Sequence, residues 1–220
     1  MRINQTPMPN AALASAAAVL LAGVPLAIFH EFGSLSQHMA LHILSMNVAA
    51  PLIAVMIVAR AAPRTFSPRS LWAVACVQIL ALWFLHTPRF HAMAALDPAI
   101  NIAVHGALAG LALAFWVALM NLGPQQRWHA PIALLLTGKL ACLLAALLIF
   151  APRLLYTATD QHAHVGHFSL ADQQFAGLLM IVACPLSYLT AALLITLDLI
   201  GPREPAKAGP ADDETPRYAP

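Results

Sequence analysis

Two histidines and a methionine recur at four-residue intervals inside one long apolar stretch of the sequence, residues 36–59. On a helix, His38, His42 and Met46 lie along one face, with Met39 at the edge of the same arc. Two imidazoles one turn apart with a thioether beside them form a ligand set suited to copper, and to Cu(I) in particular. The alternative is that water satisfies the histidines and the methionines fill space. Because polar groups inside long apolar segments are costly and usually functional, the spacing favours a metal site.

Further histidines are predicted at the level of this pair. His86 closes the third apolar stretch, and His105 lies about two turns into the fourth, where it should face other helices. Both are therefore candidate metal ligands. His162, His164 and His167 share one loop; that loop could capture a metal or simply be polar, and the sequence leaves both interpretations open.

A polar start to the last apolar stretch provides candidates for a supporting role. Ser169 precedes Asp172 by three residues, so the aspartate has an ordinary explanation as part of a helix cap. A carboxylate there could instead orient a ligating imidazole. Gln173 follows directly and is grouped with Asp172 as a residue that supports the site or a partner.

The elements that must position these side chains are long apolar helices. Of the 220 residues, 60% are hydrophobic and only 9% are charged, against roughly 25% charged in a typical soluble domain. Six stretches approach the length of about 20 residues needed to cross a bilayer. They are residues 11–29, 36–59, 71–86, 99–120, 131–151 and 171–198. The sequence therefore predicts an all-α membrane protein, a bundle of about six transmembrane helices.

The two ends of the chain differ from this pattern. Residues 11–29 could belong to a cleaved signal peptide, but the apolar run is long for one, and a retained helix is favoured. From Gly201 onward the chain is rich in Pro, Asp and Glu, which is typical of disorder. We therefore predict a transmembrane domain over residues 1–198 and a disordered cytoplasmic tail over 199–220.

The distribution of charge predicts how the bundle is oriented, because cytoplasmic loops carry an excess of Lys and Arg. One side has Arg2, Arg60, Arg64, Arg69, Arg127, Arg203, Lys207 and Arg217, whereas the other has Arg89 and Arg153. Both termini are therefore predicted in the cytoplasm. Nine of the ten histidines are predicted on the opposite side, the periplasm of a bacterial inner membrane. They are His30, His38, His42, His86, His91, His105, His162, His164 and His167.

Several classes of function have no support in the sequence. The net charge of +2 and the lack of a basic stripe argue against nucleic acid as a partner. There is no nucleophile elbow, phosphate loop, HExxH motif or facing pair of carboxylates, so an enzyme is not expected. The three cysteines form no CxxC pair and are interpreted as small core residues. Two other functions stay open. One is a haem b electron carrier ligated by a pair such as His42 and His105, and the other is a copper transporter.

With these residues in view, the sequence resembles the CtaG family of cytochrome c oxidase assembly factors over residues 30–185. The resemblance rests on three short motifs whose order and spacing match that family. They are Gln-His-Met at 37–39 leading to Ala-Pro-Leu at 50–52, Trp-Phe-Leu-His-Thr-Pro at 83–88 followed by His105 and Phe-Trp at 115–116, and Asp-Gln-Gln-Phe-Ala-Gly-Leu at 172–178. Leu85 stands where the family has tryptophan, and members usually have seven spans rather than the six predicted here.

The resemblance implies a non-enzymatic role in the maturation of a haem–copper oxidase, with copper delivered to its copper centre. The implied partners are oxidase subunits, a periplasmic copper chaperone and membrane lipid. A copper carrier, a scaffold and a receptor for a soluble chaperone are all compatible with it. The residues themselves point independently to a His/Met site facing the periplasm.

Overall fold

Long apolar helices make up most of the structure, a computed structural model that describes residues 33–62, 65–156 and 169–201. We number the helices α1 (Ser34–Leu44), α2 (Ala50–Arg60), α3 (Pro68–Leu85), α4 (Pro88–Leu96), α5 (Pro98–Met120), α6 (His129–Phe150) and α7 (Leu170–Ile200). A π-helical turn, Ser45–Ala49, joins α1 to α2 in one continuous span. Five spans in the described ranges are long and apolar enough to cross a membrane. The all-α fold class is confirmed, and the predicted helix 11–29 lies outside the described residues.

The outer surface of this bundle is apolar, as expected for a protein surrounded by lipid. Leu80, Ile102 and Phe150 expose 64%, 73% and 79% of their surface. In water, contiguous apolar exposure on this scale would cause association, whereas in a bilayer it is solvated by acyl chains. The chain is therefore a multi-pass membrane protein.

Helix starts follow local chemistry that is readable in the sequence. Ser67, Asp97 and Ser169 each accept a hydrogen bond from a backbone N–H of the first turn of α3, α5 and α7, respectively. Pro68 and Pro98 occupy the first positions of α3 and α5, where the missing N–H costs nothing. The helix ends therefore lie within three residues of the predicted bounds.

The π-helical turn changes the hydrogen bonding of the first span. The N–H of Ala50 donates to the carbonyl of Ser45, five residues back, and Pro51 has no N–H to offer. The carbonyl of Met46 is therefore left without its ordinary helical partner. The indole Nε1–H of Trp116 on α5 donates to that carbonyl at 3.2 Å, which ties the first span to α5.

The close pairing of α6 and α7 forms one wall of the bundle. Gly177 lies so near α6 that a Cβ atom there would sit 2.8 Å from the carbonyl oxygen of Ala145. Only a residue without a side chain permits this approach of the two backbones. The pair thereby fixes the position of Asp172 and Gln173, one turn earlier on α7.

A short helix between the third and fourth predicted spans was not expected. Residues 88–96 fall between the apolar stretches 71–86 and 99–120, and they form α4. Thr87 precedes Pro88, whose fixed φ suits the first helical position. This nine-residue helix carries His91 back over the end of the bundle.

Candidate metal centre

Five imidazoles from four segments meet at one end of the bundle. His38 and His42 lie on α1, His86 directly after α3, His91 on α4 and His105 on α5. The ring of His38 lies 4.4 Å from that of His42, 4.6 Å from His105, 5.0 Å from His91 and 5.9 Å from His86, between centroids. The predicted ligands His38, His42, His86 and His105 therefore occupy one site.

The centre of the site is the trio His38, His42 and His105. Each offers one ring nitrogen, and these nitrogens all lie within 4.8 Å of one another. The Nε2 atoms of His38 and His42 are 2.9 Å apart, and the ring of His42 stacks on that of His105 at 4.2 Å. In the described part of the chain this is the one group of three or more His, Cys, Asp or Glu side chains with ligand atoms so close.

Hydrogen bonds at the back of two rings fix which nitrogen is available. Nδ1 of His86 lies 2.7 Å from the carbonyl of Leu82, and Nδ1 of His105 lies 2.9 Å from the carbonyl of Asn101. A carbonyl only accepts, so each Nδ1 carries the proton and each Nε2 presents a lone pair. Metal-bound histidines show this arrangement, with the second ring nitrogen donating to a carbonyl.

Three ring nitrogens of the cluster have no hydrogen-bond partner. Nε2 of His86, Nε2 of His105 and Nδ1 of His42 are buried and unpaired. A buried polar atom without a partner costs about 1–3 kcal/mol, and native proteins contain few of them. Three such nitrogens in one cluster are compatible with metal ligation.

The two imidazoles of the cluster that lie outside the spans, His86 and His91, are held in the neutral form. Burial lowers the pKa of His86 to about 4, with the nearby His91 and His105 adding to the effect and the bond to Leu82 opposing it. Burial, followed by the neighbouring His105, also lowers the pKa of His91. A neutral imidazole is the form that binds metals.

Asp172 holds the helix that carries two of the histidines. Its carboxylate accepts hydrogen bonds from the N–H groups of Leu35 (3.0 Å) and Ser36 (3.2 Å) and from the hydroxyl of Ser36. It therefore caps the first turn of α1, where a negative group also suits the helix dipole. The N–H of Asp172 donates to Ser169 at 3.0 Å, as the Ser-x-x-Asp pattern predicts. The carboxylate contributes to the site by positioning α1 and its two histidines.

Gln173 organises the segment that follows α6. Its amide oxygen accepts from the N–H of Leu155 at 2.7 Å, and its Nε2 lies within donating distance of the carbonyls of Leu148 and Arg153. Tyr156, which follows Leu155, donates a hydrogen bond from its hydroxyl to the carbonyl of His86 at 2.7 Å. Burial raises the pKa of Tyr156 to about 12, so this hydroxyl keeps its proton. Gln173 thus supports His86 through Tyr156.

The other predicted residues divide between the core and the segments that are not described. Met39 is fully buried and packs in the core. Met46 is buried below His42 and lines a cavity there. His162, His164 and His167 lie outside the described ranges, so their involvement stays a prediction.

His91 belongs to the cluster but was not among the predicted ligands. Its ring lies 5.0 Å from His38 and 4.5 Å from Tyr156. The missing signal was the Thr-Pro start of α4, which places His91 one turn into a helix rather than in a free loop. Reading that start as a helix would have added this residue.

Comparison with known proteins identifies the family. The family model described as "Cytochrome c oxidase caa3 assembly factor (Caa3_CtaG)" matches residues 11–201, which is most of the chain. This chain belongs to the cytochrome c oxidase caa3 assembly factors. No curated protein and no solved structure matches it.

The three motifs that carry the family resemblance meet at one end of this caa3 assembly factor. The first supplies His38 and His42, the second supplies His86 and His105, and the third begins with Asp172. In the structure the first two provide the imidazoles, and the third caps the helix on which the first lies. The motifs are far apart in sequence, and the imidazole cluster is where they converge.

Proposed function

We propose that this caa3 assembly factor binds copper as cargo and passes it to a cytochrome c oxidase subunit, without catalysing a reaction. The observation that carries the proposal is the buried cluster of imidazoles with unpaired ring nitrogens. His38, His42 and His105 are the principal ligands. His86 and Met46 are accessory donors that approach from the interior.

The chemistry of the donors favours copper over other metals. Imidazole accepts zinc, copper, iron and nickel, whereas a thioether such as Met46 selects for soft copper ions. No carboxylate or thiol belongs to the described histidine trio, although structural zinc sites commonly use thiolates. A low-coordinate site near the end of the bundle also leaves room for a second protein to take the ion, as a carrier requires.

The position of the cluster suits exchange with proteins outside the membrane. The side chains lie at the end of the bundle that carries few Lys and Arg residues, which under the positive-inside rule faces the periplasm of an inner membrane. His38 and His91 are partly exposed, whereas His42 and His86 are buried. An ion would therefore enter past His91 and His38, from a soluble copper chaperone or toward an oxidase subunit.

The geometry gives less support to haem ligation. A haem held by His42 and His105 must lie between the two rings. These rings stack nearly in parallel at 4.2 Å, an interplanar angle of 6°, and a porphyrin does not fit between them. The absorption spectrum of the purified protein tests this alternative, since bound haem b gives a Soret band.

Copper transport through the bilayer also has weaker support. A transporter needs ligands through the full depth of the membrane, but Met56, a candidate for the inner half, is exposed on the lipid-facing side. Uptake of copper into proteoliposomes tests this alternative directly.

The decisive experiment compares copper per chain in detergent-purified wild type and in the His38→Ala/His42→Ala variant. We expect the wild type to hold about one copper per chain more than the variant, since the variant loses two of three principal imidazoles. His129→Ala is the matched control, because His129 contacts Trp72 and Trp128 away from the cluster. Equal copper in all three proteins would refute the proposal. If the wild type held no copper but cells lacking the protein lost oxidase activity, the protein would act as a scaffold.

A further inference from the structure

A second group of potential donors lies on the interior side of His42. A cavity of about 30 Å³ separates the π-helical turn from α3, α6 and α7. His42 and His86 line it, whereas His38, His91 and His105 are not among its lining residues. By size it holds roughly one or two water-sized particles. It adjoins the imidazole cluster without being part of it.

Three sulfur atoms belong to side chains that line this cavity. Met46 comes from the π-helical turn, and Met180 and Cys184 come from successive turns of α7. All three residues are buried, and no disulfide involves Cys184. Thioether and thiolate sulfur are the donors that select Cu(I). Three sulfur-containing side chains therefore line one small cavity next to the histidine site.

Unpaired polar atoms show that simple core packing does not account for the cavity. Gln78 is 1% exposed and its Oε1 has no hydrogen-bond partner, and the same holds for Nε2 of His86, which is 3% exposed. Both residues line the cavity. Buried polar atoms normally have a partner. An apolar core cannot provide one for these two atoms, whereas a particle bound in the cavity can.

The local backbone directs two of these side chains. π-helical turns are rare and are often found at functional sites. This one places Met46 on the cavity and allows Asn47 to donate from Nδ2 to Sγ of Cys184 at 3.3 Å. This hydrogen bond holds Sγ of Cys184 beside the π-helical turn. Trp116 stabilises the turn by donating to the Met46 carbonyl.

The geometry points to a second binding position in this cavity for one soft monovalent cation, Cu(I), held by Met46, Met180 and Cys184. On binding, the thiol of Cys184 loses its proton to solvent, and the resulting pair of cation and thiolate is neutral, which suits a low-dielectric interior. His86 lines the cavity and also lies 5.1 Å from His42 between ring centroids. It therefore connects the two positions. This inference rests on the proposed function only for the source of the ion.

The test uses Ag(I), a redox-inert ion that prefers the same soft donors, with the full-length protein in detergent. We expect about two Ag(I) per wild-type chain and about one in Met180→Leu/Cys184→Ser, because the sulfur set is lost. His38→Ala/His105→Ala alters only the imidazole trio and should also retain one. X-ray absorption of that variant loaded with Cu(I) should show mainly sulfur neighbours, and the sulfur variant should show mainly nitrogen neighbours.

Matched controls separate binding from damage to the fold. Cys142→Ser and Met56→Leu alter a thiol and a thioether that do not line the cavity and should keep both ions. Met180→Leu alone conserves volume and should reduce the sulfur scattering of bound Cu(I) while melting near the wild-type temperature. Equal Ag(I) in the wild type and the folded sulfur variant would overturn the second position. If the wild type binds one ion and only the imidazole variant loses it, the proposed function stands and this inference fails. If the wild type binds no ion at either position, both are refuted.

Discussion

The carboxylate of Asp172 on α7 accepts a 3.0 Å hydrogen bond from the backbone N–H of Leu35 on α1. The two residues are 137 positions apart in sequence. This contact fixes where α1 begins, and His38 and His42 follow within the next two turns. The geometry of the imidazole cluster therefore depends on a carboxylate that contacts none of the rings in the described structure.

The space beside this carboxylate gives the first prediction, for Gly33→Ala. A Cβ atom at Gly33 would lie 2.2 Å from Cγ of Asp172, so the carboxylate must move and lose its bonds to α1. The φ of −63° suits alanine, so the effect is steric. We expect a loss of about 1.5–3 kcal/mol and weaker copper binding, measured by thermal unfolding and metal titration.

Gly106→Ala is the matched control for that prediction. No atom lies within 4 Å of a Cβ at Gly106, and alanine favours a helix by up to about 1 kcal/mol over glycine. Its melting temperature should equal or exceed that of the wild type. An equal loss in both variants would contradict the role given to Asp172.

The π-helical turn gives a second prediction, for Trp116→Phe. The variant removes the donor to the Met46 carbonyl, which the turn has deprived of its helical partner. We expect a loss of about 1–3 kcal/mol from this unpaired buried carbonyl. Trp83→Phe is the control, because Trp83 donates to Leu140, a carbonyl inside α6 that keeps its helical bond. Calorimetry of both variants in the same detergent should give a clearly larger loss for Trp116→Phe.

Much of this architecture follows from composition, and the reasons are physical. A helix in lipid satisfies its own backbone groups, so a long apolar run is nearly sufficient to predict a span. The same rule placed His86 and His105 at the level of His38, since each lies near the same end of its span. α4 was missed because nine residues with only a Thr-Pro start produce no comparable signal.

Sequence patterns do not predict contacts between segments that are far apart in the chain. The Ser-x-x-Asp motif predicted the cap at Ser169, which forms, but nothing local indicates that the carboxylate of Asp172 reaches α1. The cavity below His42 likewise depends on how Met46, Met180 and Cys184 come together from two segments. The cysteine was interpreted as a small core residue because its neighbours in sequence are apolar.

A third prediction concerns the contact between Tyr156 and His86. Tyr156→Phe removes the hydroxyl that donates to the His86 carbonyl at 2.7 Å but keeps the ring beside His91. We expect a modest loss of stability, about 0.5–1.5 kcal/mol, and faster release of Cu(I), because His86 is less well held. Stopped-flow transfer of Cu(I) to a chelator measures the rate. An unchanged rate would mean that His86 does not retain the ion.

The last prediction separates the outer histidine from the central trio. His91 is partly exposed and lies beside His38, but it does not belong to the group whose nitrogens converge. His91→Ala should therefore keep about one copper in the histidine site, whereas His105→Ala should lose it, because imidazole is the main donor there. In His91→Ala the association rate should fall several-fold, since an entry ligand is missing. Equilibrium dialysis gives the stoichiometry and stopped-flow loading gives the rate. If His91→Ala abolished binding while His105→Ala did not, the ion would be held at the rim of the bundle, and the assignment of His38, His42 and His105 as principal ligands would be wrong.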